Sequence, residues 1–382
     1  MQLRRVSQED LARLIREDPA GNTRGCNRAM VDRWVRGITR CPQPRYLSAL
    51  ERALGMAAED LGFALPVAPA LTVHKDLDGV TADASAMQAF RKADLRVGGG
   101  HLYAAVAQYL RAQVAPRLVM ANGKDVFTSA AAVSEMAGWM AHDAGSDRVA
   151  RQHLSRALDL VSVSGDRQVT AHVLASTGHV AHHLGEPAET LRVSQAGLEV
   201  IRSGPCDPGL EAYLLAIRAR GFAALREPAE AARCLREAEK ALQAGRGQPC
   251  SPWVSRFDQA SLASEAARCM RQLGQLSEAR RQAETVVALR LADRPRSRAF
   301  GMFVQAGVLA ANRRPDEAAV IGGEILQATD GLSSQTIVQE FLALRRLLGP
   351  YRPATVVAQF LDHLDYALCE RSWQPADLNG VT

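Results

Sequence analysis

The strongest constraint on the fold is a loosely spelled repeat that begins after residue 127. Five short segments recur along this part of the chain: HDAGSDR, HHLGEPAE, ALREPAE, QLGQLSE and ANRRPDE. One position can be aligned through all five, at intervals of 40, 41, 48 and 39 residues: Gly145, Gly185, Arg226, Gly274 and Arg313. A period of this length predicts a chain built from stacked copies of one structural unit.

Small residues stand at fixed distances on both sides of the aligned position. Five residues after it come Ala150, Thr190, Ala231, Ala279 and Ala318. Seven residues before it come Gly138, Gly178, Ala219, Ala267 and Ala306. Small residues let antiparallel helices approach closely, so each unit is predicted to be a helix pair that stacks on its neighbours. The pattern resembles the tetratricopeptide repeat, with longer connections than its usual unit of about 34 residues.

Two further helical segments, 335–348 and 354–371, would form the terminal cap that such an array requires. We therefore predict an all-α protein with a tetratricopeptide-like α-solenoid at 128–371 and a C-terminal tail at 372–382. An ordinary helical bundle is the alternative. Phe, Trp and Tyr together make up only 5% of the chain, which favours helices and argues against a β-sandwich or barrel.

The cysteines and the hydropathy pattern indicate a cytoplasmic protein. The seven cysteines lie far apart, form no CxxC pair and are odd in number, so we expect reduced thiols rather than disulfides or a zinc ribbon. The first twenty residues contain no apolar run long enough for a signal peptide. No window approaches the roughly 18 consecutive apolar residues that span a bilayer, so we expect a soluble chain without a membrane partner.

Two short helices are predicted near the N-terminus. Ser7 precedes Glu9 and Asp10, which is typical of a helix cap followed by an acidic first turn. The buried side of this helix is predicted to carry Leu11, Leu14 and Ile15. Asn27 can cap a second helix over 28–36, with Gly37 after it. Helices at 46–54 and 57–63 would complete a domain at 1–65.

The second helix is amphipathic in an unusual way. One side carries Val31, Trp34, Val35 and, just beyond, Ile38; the other carries Arg28, Ala29, Asp32, Arg33 and Arg36. From Arg24 to Arg45 there are six arginines and one acid, a local charge of +5 that equals the charge of the whole chain. A basic helix after a helix and a turn can enter the major groove, where arginine binds guanine edges and phosphates. The alternative is a solvated arginine-rich surface.

Several segments carry a resemblance to a known family. RRVSQEDLARLIRE, RAMVDRWVRG and PQPRYLSALERALGMAAEDLGF resemble the helix-turn-helix of the XRE (Cro/repressor-like) family. VGGGHLYAAVAQYLRAQVAPRL, SEMAGWMAHDAGSDRVARQHLSRAL and RSRAFG resemble its actinobacterial members with a tetratricopeptide-like C-terminal region. The resemblance implies that Gln8 meets a DNA phosphate and that five further residues face base edges: Asn27, Arg28, Ala29, Asp32 and Arg33. XRE domains have one more helix before the one at Ser7, and with only six residues preceding Ser7 we expect that helix to be missing.

A less patterned region, 66–127, is predicted to join the two domains. Residues 65–85 combine prolines, a glycine and small polar residues without a helical period, which indicates a linker. A helix at 86–95 and a second one over HLYAAVAQYLRAQVAPRL flank Gly98, Gly99 and Gly100. No strand pattern precedes these glycines and no Gly-Lys-Ser/Thr follows, so we predict a break between helices rather than a phosphate loop.

The first helix of each pair is expected to line the concave side of the array, with positions 13, 10, 6 and 3 residues before the turn pointing inward. These positions predict a ligand groove of the following residues: Trp139, His142, His172, His179, His182, Tyr213, Arg220, Arg268, Arg271, Phe300 and Phe303. Such a groove, aromatic at its ends and cationic in the middle, favours a peptide with a free carboxylate, an anionic small molecule or a protein partner. The alternative is that these side chains only pack between repeats. His179 and His183 lie at i, i+4 with His172 and His182 nearby, but no HExxH frame or acidic third ligand accompanies them, so no metal or cofactor is expected.

These observations predict a sequence-specific DNA-binding transcriptional regulator whose array senses a ligand or partner. Double-stranded DNA is the expected partner of the head, and the protein could bind its half-sites as a homodimer. The alternative is a tetratricopeptide-type adaptor with a degenerate head that does not bind DNA. GxSxG, Walker, dinucleotide and HExxH motifs are all missing, so an enzyme is not expected.

Overall fold

The structure, a computed structural model, describes residues 7–19, 23, 25–36, 42, 44–57, 61, 63, 79–119, 123–204, 207–245, 251–290 and 294–371. Every regular element in these ranges is helical, which confirms the all-α prediction. The predicted tail at 372–382 lies outside them, as do Gly37, Ile38 and most of the predicted helix at 57–63.

Three short helices form an N-terminal head: α1 (Gln8–Arg16), α2 (Arg28–Val35) and α3 (Pro44–Leu54). Both predicted caps are present. The backbone amide of Asp10 donates to the Ser7 hydroxyl oxygen at 3.1 Å, and that of Met30 donates to the Asn27 side-chain oxygen at 3.0 Å. Each cap satisfies an amide that would otherwise lack a partner in the first turn of the helix.

The three helices enclose a small apolar core, in which the rings of Trp34 and Tyr46 lie 5.6 Å apart. Its buried members are Ala12, Ile15, Cys26, Met30, Val31, Trp34, Tyr46, Ala49 and Leu50. Leu14 and Val35 were expected in this core but are 44% and 68% exposed, so this part of the prediction is wrong. The inward sides of α1 and α2 carry Ala12 and Met30 instead.

Two lead-in helices follow the head, α4 (Gly79–Val97) and α5 (Gly99–Tyr109). Helix α4 begins inside the segment predicted as a linker, because its alanines and Met87 pack against the array. The predicted break is present at Gly98, whose φ of 81° is open to glycine but strained for other residues. After α5 the chain makes one π-helical turn (Leu110–Val114) and continues as α6 (Ala115–Val119). Pro116 cannot donate a backbone hydrogen bond, which accounts for a widened turn at this point.

Five antiparallel helix pairs form the array, as the repeat predicts. They are α7 (Lys124–Asp143) with α8 (Asp147–Ser164), α9 (Arg167–His183) with α10 (Pro187–Arg202), α11 (Pro208–Ala224) with α12 (Pro228–Ala244), α13 (Gln259–Gln272) with α14 (Leu276–Leu289), and α15 (Pro295–Ala311) with α16 (Pro315–Ala328). Each pair packs on the next one along the chain.

The aligned turn position is the same structural position in all five pairs, since each of its residues has a positive φ. The angles are 82° at Gly145, 76° at Gly185, 63° at Arg226, 79° at Gly274 and 58° at Arg313. The small residues meet where predicted: a Cβ at Gly138 would lie 3.1 Å from the carbonyl oxygen of Ala150. The register read from the sequence is therefore confirmed at the turns and at the helix contacts.

The last two helices, α17 (Gln335–Leu348) and α18 (Thr355–Arg371), lie at the predicted positions. Helix α17 packs on α15 and α18 packs on α16, so they extend the stack as a sixth pair. Their apolar sides join one core cluster with the fifth pair, centred on Phe341.

The array closes on itself. The backbone amide of Ser333, just before α17, donates to the carbonyl of Val97 at 2.9 Å, and the amide of Gly100 donates to the carbonyl of Ser333 at 3.0 Å. A Cβ at Gly98 or Gly100 would collide with Ser333. The triple glycine is therefore more than a break between helices, because it lets the start and the end of the array touch.

A buried ion cluster joins the same two ends. The Arg296 guanidinium on α15 binds Asp94 of α4 and Asp143 of α7, both at 2.5 Å. Asp143 also accepts hydrogen bonds from Ser334 at 2.6 Å and from the Gly99 amide at 2.8 Å. Residues from the two ends of the array thus share one network of ion pairs and hydrogen bonds. The helix pairs therefore form a ring.

Two further observations concern the described residues only. None of their helices is long and apolar enough to cross a bilayer. Cys234 and Cys269 are buried free thiols, and Cys26 is buried in the core of the head.

Candidate functional site

The ring encloses a chamber of about 650 Å³. Its wall is made mainly by the first helices of the pairs, α7, α9, α11, α13 and α15, together with α4 and α17. Cavities of about 300–1,000 Å³ are the usual size for small-molecule sites. The predicted concave groove is thus a partly open chamber in the described structure.

Nine of the predicted groove residues line this chamber: Trp139, His142, His172, His179, Tyr213, Arg220, Arg268, Arg271 and Phe300. Two do not. His182 is replaced by His183, because His172, Ser176, His179 and His183 are the residues that α9 turns to the chamber. Phe303 is only 2% exposed and packs edge-on against Phe341 at 4.8 Å, in the core between α15 and α17.

A loop completes the wall at a place the repeat did not predict. The interval of 48 residues between the third and fourth turns is the longest, and its surplus forms the segment before α13. Ser255, Arg256 and Phe257 of this segment line the chamber. The Arg91 guanidinium on α4 holds the segment by donating to the Trp253 carbonyl at 2.7 Å. The long interval was the available signal that something inserts here.

The chamber wall is cationic. It contains nine arginines (91, 220, 256, 268, 271, 290, 294, 296 and 346) and five acids (Asp94, Glu135, Asp143, Glu265 and Glu340). Glu135 stands at one of the predicted inward positions, 10 residues before Gly145, whereas the repeat did not predict the other four acids. Their presence leaves an excess of positive charge that favours an anionic occupant.

Several of the arginines are neutralised by neighbours. Arg220 binds Glu265 at 2.5 Å, and Arg290 binds Asp258 through two contacts of 2.7 Å. Arg271 reaches Glu340 of α17 at 3.4 Å. These pairs form the supporting wall of the chamber.

Arg268 differs from these residues. Its guanidinium lies over the Phe300 ring, 4.1 Å from the centroid, which is a cation–π contact. Among the described residues no acidic side chain lies within ion-pair distance of it. Burial is the main cause that lowers the pKa of Arg268, and Glu265 opposes it only in part.

Aromatic and imidazole rings cluster at one side of the chamber. His179 lies 4.9 Å from Trp139 and 5.5 Å from His142, and His183 lies 4.8 Å from His142. The His142 Nδ1 contacts Asp147 at 2.6 Å, which fixes the ring, and its Nε2 has no hydrogen-bond partner among the described residues. Burial lowers the pKa of His179 well below its usual value, with His142, Arg220 and Arg268 adding to the effect.

A second polar group lies between α7 and α9. Glu135 accepts a hydrogen bond from Ser176 at 2.5 Å and lies 3.6 Å from His172. Beside it, Tyr213 stacks on Phe257 at 5.2 Å. Burial raises the pKa of Tyr213, so its hydroxyl stays protonated and can donate to a ligand.

No group of three or more His, Cys, Asp or Glu side chains among the described residues is arranged to hold a metal ion. The arginines and aromatic rings are the groups of the chamber wall that can bind a ligand.

The predicted DNA-contacting residues come together on the head. Arg28, Ala29 and Arg36 are exposed on α2, and Asn27 caps it. Gln8 donates to Asp32 at 3.3 Å, and Asp32 also binds Arg36 at 2.9 Å. Gln8 and α2 thus share one surface, as the resemblance implies.

The array touches this surface. The Arg33 guanidinium on α2 lies over the ring of Tyr366 on α18, 5.3 Å from its centroid, and Tyr366 packs against the core of the head. This contact was not predicted, since nothing in the sequence pairs the last helix with the second.

Comparison with known proteins assigns the chain to no family. No protein-family model matches the sequence, and no curated protein matches it. Among solved structures, the chain is similar to one described as the crystal structure of a Rap protein complexed with Competence and Sporulation Factor. The TM-score is 0.49 and the sequence identity 13%, over 75% of this chain and 83% of that chain.

Proposed function

We propose that this protein is a sequence-specific DNA-binding transcriptional regulator whose helical array senses an anionic ligand. The observation that carries the sensing role is the chamber, a concave space whose arginines outnumber its acids and whose walls offer aromatic rings. A site with this composition is suited to a carboxylate or phosphate attached to an apolar body, as in a short peptide or an acidic metabolite. A protein partner would have to insert into the chamber a segment that carries such an anionic group.

The head supports the DNA-binding role. Helix α2 follows α1 after an eleven-residue connection, has a capped N-terminus and exposes Arg28 and Ala29 in its first turn. Helix-turn-helix proteins read base edges with the N-terminal residues of such a helix. The position of Gln8 beside Asp32 agrees with a phosphate contact next to the base-reading residues.

The contact between Arg33 and Tyr366 offers a route from ligand to DNA. A ligand that alters the packing of the ring would move α18, and with it the support of Arg33. The ligand-free and the ligand-bound protein would then differ in how freely α2 can enter the major groove of DNA. Such a difference in contacts between two states is what allosteric control requires.

Duplex binding tests the DNA-binding role. With a labelled random-sequence duplex, we expect affinity to fall steeply as salt rises, since arginine contacts release counterions from phosphates. Arg28→Ala should weaken binding and reduce the slope of log affinity against log salt by about 1. Arg13→Ala removes an exposed arginine that pairs with Asp10 on α1 and serves as the matched control. Absence of binding at low salt would contradict the proposal.

A second candidate is an interaction adaptor whose head does not bind DNA. It is favoured by the engagement of three of the predicted DNA contacts, Gln8, Asp32 and Arg33, within the protein. The adaptor predicts no salt-dependent duplex binding by wild-type protein or by a Tyr366→Ala variant, which removes the ring that Arg33 lies over. The regulator predicts that Tyr366→Ala binds duplex at least as tightly as wild type.

A further inference from the structure

Four of the nine arginines that line the chamber bind a carboxylate within the described part of the chain, and Arg268 is not one of these four. Arg220, Arg290 and Arg296 each bind a carboxylate at 2.7 Å or less. Arg271 has a looser partner in Glu340 at 3.4 Å. Arg268 lies on the same helix, α13, yet among the described residues it has only the Phe300 ring beneath it.

The nearest acid on the same helix, Glu265, is already engaged. Its Oε2 is 2.5 Å from Arg220 Nη1, so this carboxylate is directed at α11 and not at Arg268. Arg268 is partly buried, burial lowers its pKa, and the charges of Glu265 and Glu340 offset this effect only in part. A partly desolvated cation without a directly bonded counter-charge is unfavourable, and a ligand can supply the missing charge.

The surroundings of Arg268 fit the approach of an anion. The Phe300 ring covers one face of the guanidinium and leaves its N–H edge for a bidentate partner. His179 and His183 line the same chamber as Arg268. His142 adds the Nε2 atom that has no partner among the described residues.

We infer that Arg268 is the anchor of an oxyanion-binding subsite, which takes a carboxylate or phosphate group of the ligand while the aromatic walls formed by Trp139 and the Tyr213–Phe257 pair hold its planar or apolar body. This inference rests on the proposed sensing function and names the chemistry of its ligand. The anion supplies the counter-charge that α13 lacks, and the guanidinium binds it through two parallel N–H donors.

The first test uses the protein without ligand. Arg268→Met replaces a partly desolvated cation by an apolar side chain of similar length, so it is expected to raise the thermal midpoint of unfolding. Arg280→Met is the matched control, because Arg280 is exposed on α14 and pairs with Glu284 at 2.8 Å. Its midpoint should stay at or slightly below that of wild type. A lower midpoint for Arg268→Met would show that this arginine is structural and would overturn the inference.

The second test measures binding of four probes by calorimetry: inorganic phosphate, phenyl phosphate, benzoate and the neutral benzyl alcohol. Wild type and Arg280→Met should bind at least one aromatic anion, and Arg268→Met should bind it at least about tenfold more weakly. Preference for phenyl phosphate over benzoate, or the reverse, decides between phosphate and carboxylate. Equal affinities in wild type and Arg268→Met would overturn the inference, as would absence of anion binding to wild type at about 10 mM.

Failure of this subsite is distinguishable from failure of the regulator. If duplex binding is present but no anion depends on Arg268, the subsite is refuted and the DNA-binding role stands. If anions depend on Arg268 but duplex binding is absent, the subsite stands and the adaptor replaces the regulator.

Discussion

The turn of each helix pair depends on one residue with a left-handed backbone, and the chain uses arginine there twice. Arg313 has φ of 58°, is exposed and occupies the position that Gly274 fills with φ of 79°. L-residues pay about 1–2 kcal/mol in this conformation, whereas glycine does not. The positive φ at Arg313 thus puts a small backbone strain on the fifth helix pair, and glycine at this position would remove it.

Arg313→Gly is therefore expected to stabilise the protein by up to about 1 kcal/mol. Gly274→Ala should have the opposite effect by a similar amount, although nothing lies within 4 Å of its Cβ position, because only the backbone is strained. Urea midpoints of the two variants measure both effects. Destabilisation by Arg313→Gly would mean that the arginine side chain contributes more than its backbone costs.

Buried histidines make the protein sensitive to acid. Burial lowers the pKa of His153 to about 4, and Arg156 adds to the effect. An unfolded histidine has a pKa of about 6.5, so the unfolded state takes up the proton first and stability falls as pH drops from about 6.5 towards 4. Each such histidine contributes at most about 1.4 kcal/mol per pH unit in that window.

His153→Gln should reduce this pH slope while keeping a partner for the Tyr103 hydroxyl, which lies 3.1 Å from His153 Nε2. His363→Gln, at an exposed position on α18, is the control. Thermal midpoints from pH 7 to about 4.5 provide the measurement. A slope as steep in His153→Gln as in wild type would contradict the assignment.

The repeat register placed nine of its eleven predicted groove residues on the chamber wall, and it failed where the exact rotation of a helix decides which way a side chain points. Trp139, Arg220, Arg268 and Phe300 line the chamber because a constant offset from the turn selects one side of each first helix. Phe303 lies only three residues after Phe300, and the packing of α17 decides that it points into the core. Whether such a side chain faces the chamber or the core depends on the helices packed beside it, which the sequence of a single helix does not specify.

At the scale of the helix, packing within and between pairs depends on glycine and alanine at fixed positions. A Cβ at Gly178 on α9 would lie 2.8 Å from Ile217 Cγ2 and 3.1 Å from Val193 Cγ2. Gly323 on α16 has nothing within 4 Å of its Cβ position. The two glycines have the same secondary structure and opposite surroundings.

Gly178→Ala is expected to destabilise the protein by about 1–3 kcal/mol, because the branched Ile217 and Val193 must move. Gly323→Ala should stabilise it by up to about 1 kcal/mol, since alanine is the better helix former and meets no obstacle. Thermal midpoints compare the two. Stabilisation by both substitutions would show that α9 and α11 can separate without cost.

The helix pairs could be predicted because close helix contacts require small residues, and the same requirement makes Gly178→Ala and Gly323→Ala differ in their effects. Close approach of helices selects small residues, and turns select glycine, so a local rule leaves a periodic trace in the sequence. The start of α4 was not predictable, because its residues become helical through contact with the array and lack a strong period of their own.

Closure of the ring belongs to the whole molecule. Gly98 and Gly100 meet Ser333, and Arg296 meets Asp94, across most of the length of the array. No periodicity records a contact between the first and last repeats, so the sequence predicted an open groove where the structure has a chamber.

Asp143 is the residue on which closure depends most. Burial opposes its ionisation, but the Arg296 guanidinium and hydrogen bonds from Ser334, the Gly99 amide and Thr336 outweigh that cost and hold its pKa below the usual value. A lowered carboxyl pKa contributes stability that is complete above about pH 4 and is lost as the pH falls further. Substitution removes the same contribution at neutral pH.

Asp143→Ala is therefore expected to destabilise the protein by about 3–5 kcal/mol, because it leaves Arg296 partly uncompensated and three donors without an acceptor. Asp365→Ala removes an exposed partner of Arg345, a contact of 2.5 Å, and should cost less than about 1 kcal/mol. Small-angle scattering should show a larger radius of gyration for folded Asp143→Ala, since the ends of the array separate. An unchanged radius together with a small loss of stability would mean that the Val97–Ser333–Gly100 backbone contacts close the ring without the ion cluster, and that the chamber does not depend on Asp143.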